Sequence, residues 1–183
     1  MVGFKEFLKI KTTGGYLEKH YPTMKGDRLE KLLVGLENEY MVGVIFELLG
    51  YQPKIVHYRM DRQDIDYYLG NLTISVKTSI RGLETGNVIL ELGNRYKKGW
   101  FYTSRADIWV FVVGRRKERR VFWDYASNIR VNAFLYGRKV GLSEKCKEIN
   151  KVTGFRGVRD LEGWTLLLYP IKHLKPIWGF SVL

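Results

Sequence analysis

The run Ala106-Asp-Ile-Trp-Val-Phe-Val-Val113 constrains the fold more than any other stretch of the chain. Its apolar side chains do not alternate with polar ones, which predicts a strand covered on both faces in the middle of a sheet. Arg119–Trp123 reads as its antiparallel neighbour, Lys54–Met60 and Val88–Leu92 as further strands, and Trp164–Tyr169 as a last one. Helical patterns surround them. Gly3–Lys11 reads as a short helix and Lys11–Gly26 as loop. A longer helix, capped by Asp27, carries Leu32, Leu36, Tyr40, Val44 and Leu48 and stops at Gly50. Ala126–Tyr136 and Ser143–Val152 read as two more, while Arg95–Arg105 is basic and aromatic without clear periodicity. The expected class is α/β (α+β), with a mixed central sheet flanked by helices. No linker or repeat divides the 183 residues. A single domain is expected over 1–183, with a core at about 27–114 and a basic extension at 115–183.

Several classes are disfavoured by what the chain lacks. A composition with 45% hydrophobic and 14% aromatic residues argues against disorder. No 18-residue apolar run is free of charge, so no membrane span is expected. Met1–Lys11 lacks the apolar block of a signal peptide. The lone Cys146 excludes a disulfide framework and a cysteine-pair zinc site, pointing to a reducing, cytoplasmic setting. His20, His57 and His173 are scattered, and neither a GxxxxGK[ST] loop nor a GxSxG elbow occurs.

The charge is lopsided. Residues 1–114 carry a net +3, whereas residues 115–183 carry +9. That asymmetry suggests a footprint for a polyanion, with a solubilising surface as the plainer alternative. Candidate phosphate contacts are Lys97 and Lys98 beside Trp100, Phe101 and Tyr102, and Arg115, Arg116, Arg119 and Arg120. Each is equally readable as a charged turn, and the aromatics as core.

Chemistry concentrates in a hairpin. Gln63–Leu69 and Leu72–Ser79 are strand-like runs separated by Gly70-Asn71, a two-residue turn signal. Counting from that turn pairs Leu69 with Leu72, Tyr67 with Ile74, Asp66 with Ser75 and Asp64 with Lys77. The two-residue period then puts Asp64, Asp66, Ser75 and Lys77 on one face, with Ile65, Tyr67, Ile74 and Val76 on the other. One face suits the core. The other gathers two carboxylates, a hydroxyl and a lysine, readable as a functional group or as a solvated face with an Asp64–Lys77 ion pair.

Asp66 followed by Ser75-Val76-Lys77, behind a glutamate-bearing helix and a strand, resembles the PD-(D/E)XK (restriction-endonuclease-like) nuclease superfamily. Ser75 stands where the family motif has an acidic residue. Some of its tetrameric restriction endonucleases also read Ser-x-Lys and recruit a later glutamate, and Glu91 follows Lys77 by 14 positions. Ser75–Ser79, Thr85–Glu91, Gly99-Trp100 and Ser104–Asp107 are also similar to nuclease-like proteins of bacteriophages and mobile elements, so a virus-encoded protein is among the readings. The resemblance implies a Mg²⁺-dependent endonuclease, with Mn²⁺ able to substitute, acting on DNA, RNA not being excluded. A Holliday-junction resolvase or a homing or restriction-type enzyme fits within that class. It implies Asp66 and Glu91 as metal ligands and Lys77 as the group that holds the attacking water or stabilises developing charge. Glu39 would act through metal-bound water, with Asp64 and Ser75 in support. A homodimer is expected, since cutting a duplex takes two sites or two events. The competing reading is a nuclease-like scaffold that has lost catalysis and only binds nucleic acid.

Overall fold

A computed structural model describes residues 2–13, 26–57, 63–94, 96–115, 117–141 and 165–181. In chain order the elements are α1 (Phe4–Thr12), α2 (Gly26–Leu48), β1 (Lys54–Ile55), β2 (Tyr67–Leu69), β3 (Leu72–Ser79), α3 (Gly82–Thr85), β4 (Asn87–Gly93), α4 (Trp100–Thr103), β5 (Ile108–Val113), β6 (Arg120–Tyr125), α5 (Ala126–Tyr136), β7 (Arg138–Gly141), β8 (Thr165–Pro170) and β9 (Lys175–Pro176). The fold is mixed α+β, with a mixed sheet flanked by helices. No helix among the described residues is long and apolar enough to cross a membrane. The chain forms two compact units, one of residues 1–77 and 105–110, the other of residues 78–104 and 111–183.

In the first unit the strand order is β1-β2-β3-β5. β1 and β2 pair antiparallel, Ile55 with Tyr67, and β2 and β3 pair antiparallel around the Gly70-Asn71 turn. Gly70 takes a φ of 58°, the left-handed conformation such a turn demands. β5 runs parallel to β3. The Asp107 amide donates to the Thr73 carbonyl where β5 begins, and the Gly114 amide to the Ser79 carbonyl where it ends. All six residues of β5 are buried, as an unbroken apolar run requires.

α2 buries Leu36, Val42 and Phe46 within one broad stripe, Val42 and Phe46 being a single turn apart. It ends in a Schellman motif: the Gly50 amide donates to the Glu47 carbonyl and the Tyr51 amide to the Phe46 carbonyl. Gly50 has a φ of 87°, and the Phe46 and Tyr51 rings meet edge to face. The side chain of Asp27, expected as the cap, lies outside the described residues. α1 buries Phe7 completely, against Phe4 and the Tyr40 ring of α2.

In the second unit β5, β6 and β9 are neighbours, and β4, β8 and β7 form a separate antiparallel sheet. β4 is interrupted by an irregularity between Glu91 and Gly93. At Gly93 (φ 112°) a Cβ would collide with the Lys97 carbonyl, so the chain folds back on itself there only because no side chain is present. Arg130 of α5 donates to the carbonyls of Phe101 and Ser104, serving the orphan end of α4.

Several expected elements change. The run expected as strand from Gln63 to Leu69 is extended only over Tyr67–Leu69, because Asp64 adopts a φ of 60° and breaks the pleat. Of the Lys54–Met60 run only Lys54–Ile55 is paired, and Tyr58–Met60 lie outside the described residues. Arg95–Arg105 yields a single helical turn, Trp100–Thr103. Trp164–Tyr169 is followed by a further strand: β9 pairs Lys175 with Trp123. β7 arises where no strand was expected. The expected helix Ser143–Val152 and most of the Lys11–Gly26 loop lie outside the described residues.

Candidate active site

Lys11, Glu39 and Asp66 converge in the first unit. Lys11 sits one helical turn after Phe7, so burying Phe7 turns Lys11 inward as well. Its ammonium lies 2.8 Å from Glu39 Oε2 and 3.0 Å from Asp66 Oδ1, and the residue is only 4% exposed. Burial alone works against the charged form. The nearby Asp66 and Glu39 charges and their hydrogen bonds outweigh it and hold the Lys11 pKa well above the ordinary lysine value.

Glu39 lies three residues beyond Leu36 and three before Val42, on the inward stripe of α2. The Tyr67 hydroxyl donates to the Glu39 backbone carbonyl at 2.8 Å and so ties the helix to β2. Burial, then the neighbouring Glu39 and Asp66 charges, drive the Tyr67 phenol far above its ordinary pKa.

Asp66 is held at both oxygens. Oδ1 faces Lys11, while Oδ2 accepts from the Val76 amide at 2.7 Å. The Cα pairing of the hairpin ends at Tyr67–Ile74, and the Asp66 amide donates to the Ile74 carbonyl. The expected Asp66–Ser75 pairing is therefore replaced: Asp66 keeps backbone bonds to Ile74 and Val56 and takes the Val76 amide with its side chain. Ser75 is fully buried, and its Oγ has no partner among the described residues, so it makes no hydrogen bond to Asp66. The expected Asp64–Lys77 ion pair is made, between two half-buried side chains. Asp64 Oδ2 is buried without a partner among the described residues. Ile65, Tyr67, Ile74 and Val76 are buried, as the alternation requires.

Glu91 belongs to the second unit and lies on the half-buried side of β4 with Asn87 and Ile89. Lys97 and Lys98 are exposed in the return from β4 to α4. Phe101 is core, and Tyr102 is exposed. Arg115 is largely exposed and bridges to Glu84 at 3.3 Å. Arg120 is exposed, Arg119 half-buried, and Arg116 lies outside the described residues. Asp107, to which the sequence assigns no role, accepts from both the amide and the hydroxyl of Thr73.

Lys11 is the residue that sequence reasoning missed. The signal was the Phe4, Phe7, Lys11 spacing, which places a lysine on the apolar side of an amphipathic helix. Among the described residues, no three His, Cys, Asp or Glu side chains cluster as a metal site. What converges is a pair of carboxylates on one cation, beside a second, Asp64–Lys77, pair. No protein-family model, curated protein or solved structure matches this chain.

Proposed function

We propose that this chain is a Mg²⁺-dependent nuclease that hydrolyses DNA phosphodiester bonds on a restriction-endonuclease-like core. One observation supports this above the others: Glu39 of α2 and Asp66 at the entry to β2 direct carboxylate oxygens to a single cationic atom, at 2.8 and 3.0 Å. Mg²⁺ takes oxygen ligands and usually only one or two protein carboxylates, so this donor pair fits it in kind and number. Asp66 and Glu39 would hold the ion. Bound there, it would polarise a phosphate and lower the pKa of an attacking water. Lys77, oriented by Asp64, would stabilise charge gathering on the phosphate oxygens. Asp66 keeps its orientation through the Val76 amide. The basic 115–183 segment would supply phosphate contacts, and a homodimer would cut both strands.

One observation favours a second reading, a nucleic-acid-binding module without catalysis. Lys11 already engages both carboxylates and offsets one of their two charges, and Ser75 supplies no third carboxylate. Supercoiled plasmid incubated with Mg²⁺ or Mn²⁺ separates the two. Nicked and linear products should form with the parental chain and fall at least about 100-fold with Asp66→Asn or Lys77→Ala, the scale set by loss of one placed charge. No cleavage by the parental chain, or equal cleavage by both variants, would leave the binding module as the better account.

A further inference from the structure

We infer that Lys11 is a built-in competitor for the cation position between Glu39 and Asp66, so that a divalent ion enters only when α1 withdraws its ammonium. This inference rests on the metal-dependent reading above. Lys11 Nζ is within 3.0 Å of both oxygens that the ion would need. A divalent ion bound to the same atoms would sit about 2.0–2.1 Å from each. The two cations cannot share that space: they would overlap, and their charges would repel across a buried site.

Three features make the exchange workable. Lys11 is carried by α1, a helix of nine residues with one fully buried apolar side chain, Phe7. Helices that short are marginal alone and held by docking, which places them among the more easily opened parts of a structure. The Val76 amide holds Asp66 Oδ2 independently of Lys11, so the carboxylate stays aimed after the ammonium leaves. The carboxylates of Glu39 and Asp66 sit on elements tied to each other through Tyr67, not through α1. The pair therefore persists as a site when α1 moves.

Mn²⁺ serves as the probe, with the full chain throughout. Calorimetric titration should show Mn²⁺ binding that Asp66→Asn removes. Lys11→Met should bind about 10-fold tighter or more, because no fraction of the molecules then carries an occupied site. Lys11→Arg, which keeps the charge, should stay near the parental affinity. A second measurement needs no variant. Acetylation of the parental chain, read by mass spectrometry, should leave Lys11 protected without metal and modify it faster with saturating Mn²⁺. This decides the matter even if Lys11→Met does not fold. Asp66-dependent Mn²⁺ binding with Lys11 equally protected throughout would overturn the competition and leave the metal site standing. Absence of any Asp66-dependent Mn²⁺ binding would overturn both.

Discussion

Lys11 Nζ and Asp66 Oδ1 lie 3.0 Å apart although 55 positions separate the two residues in the chain. Asp66→Ala would strand the buried ammonium with one carboxylate and leave the Val76 amide without its acceptor. Removing one partner of a buried ion pair costs about 3–5 kcal/mol. Urea unfolding should show a lower midpoint with the slope unchanged. A loss under about 1 kcal/mol would mean that the pair is worth no more than an exposed one.

Tyr67 sets an alkaline limit. Its phenol is held above the ordinary value by burial and by the Glu39 and Asp66 charges. The folded chain thus keeps a proton that the unfolded chain releases near the usual tyrosine pKa of about 10. The stabilisation is fully present below that pH and is lost as pH rises beyond it. Absorbance at alkaline pH should show a late group of tyrosines that ionises only on unfolding. Tyr67→Phe should remove one from that group, flatten the decline in stability at high pH, and cost about 1 kcal/mol at neutral pH for the lost bond to Glu39.

The Thr73–Asp107 contact fastens the start of β3 to that of β5. Asp107 Oδ2 accepts from the Thr73 amide at 2.8 Å and from its hydroxyl at 2.6 Å. Asp107→Ala should destabilise by about 1–3 kcal/mol. Thr73→Val, which keeps the amide bond, should cost less. Equal losses would show that the hydroxyl carries all of the effect.

Gly99 packs where a Cβ would strike the Glu91 backbone carbonyl and its carbon. Backbone on both sides leaves no rotamer to relieve the clash, so Gly99→Ala should cost at least about 1–3 kcal/mol. Gly179→Ala, with nothing within 4 Å of the added carbon, is the matched control and should fall within about 0.5 kcal/mol of the parental chain.

On the nucleic-acid reading, affinity should fall linearly on a log–log plot against salt, by about 0.9 per phosphate contacted. Replacing both Arg119 and Arg120 by Ala should flatten that slope by up to about 2. Fluorescence anisotropy on one labelled duplex across a salt series measures it. An unchanged slope would assign those arginines to ordinary solvated surface.

What the sequence made legible follows from where local rules decide. The Gly70-Asn71 turn fixed the start of β3 and its pairing back to Tyr67, because both rest on turn geometry and period 2. Ile108–Val113 and Ala126–Tyr136 emerged from apolar pattern alone. The pattern failed at Asp64, whose positive φ ends the strand, and at Asp66, whose side chain substitutes for a ladder carbonyl. Neither event leaves a period in the sequence. Lys11 was harder still, since only its partners, far along the chain, make a buried lysine tolerable. β9 is two residues long, too short for any periodicity to register.

β5 divides at its midpoint, Ile108–Val110 belonging to one compact unit and Phe111–Val113 to the other. The division matters for a chain emerging from a ribosome. The β2–β3 hairpin can close once Ser79 has left the exit tunnel, but β3 gains its second neighbour only when β5 has followed it out, about thirty residues later. At roughly 5–20 residues per second, that leaves an open strand edge for about 2–6 s. Such an edge is a template for pairing with other chains. Buried Ser75 and half-buried Lys77 in β3, in place of further apolar residues, keep the waiting edge poorly suited to that mispairing.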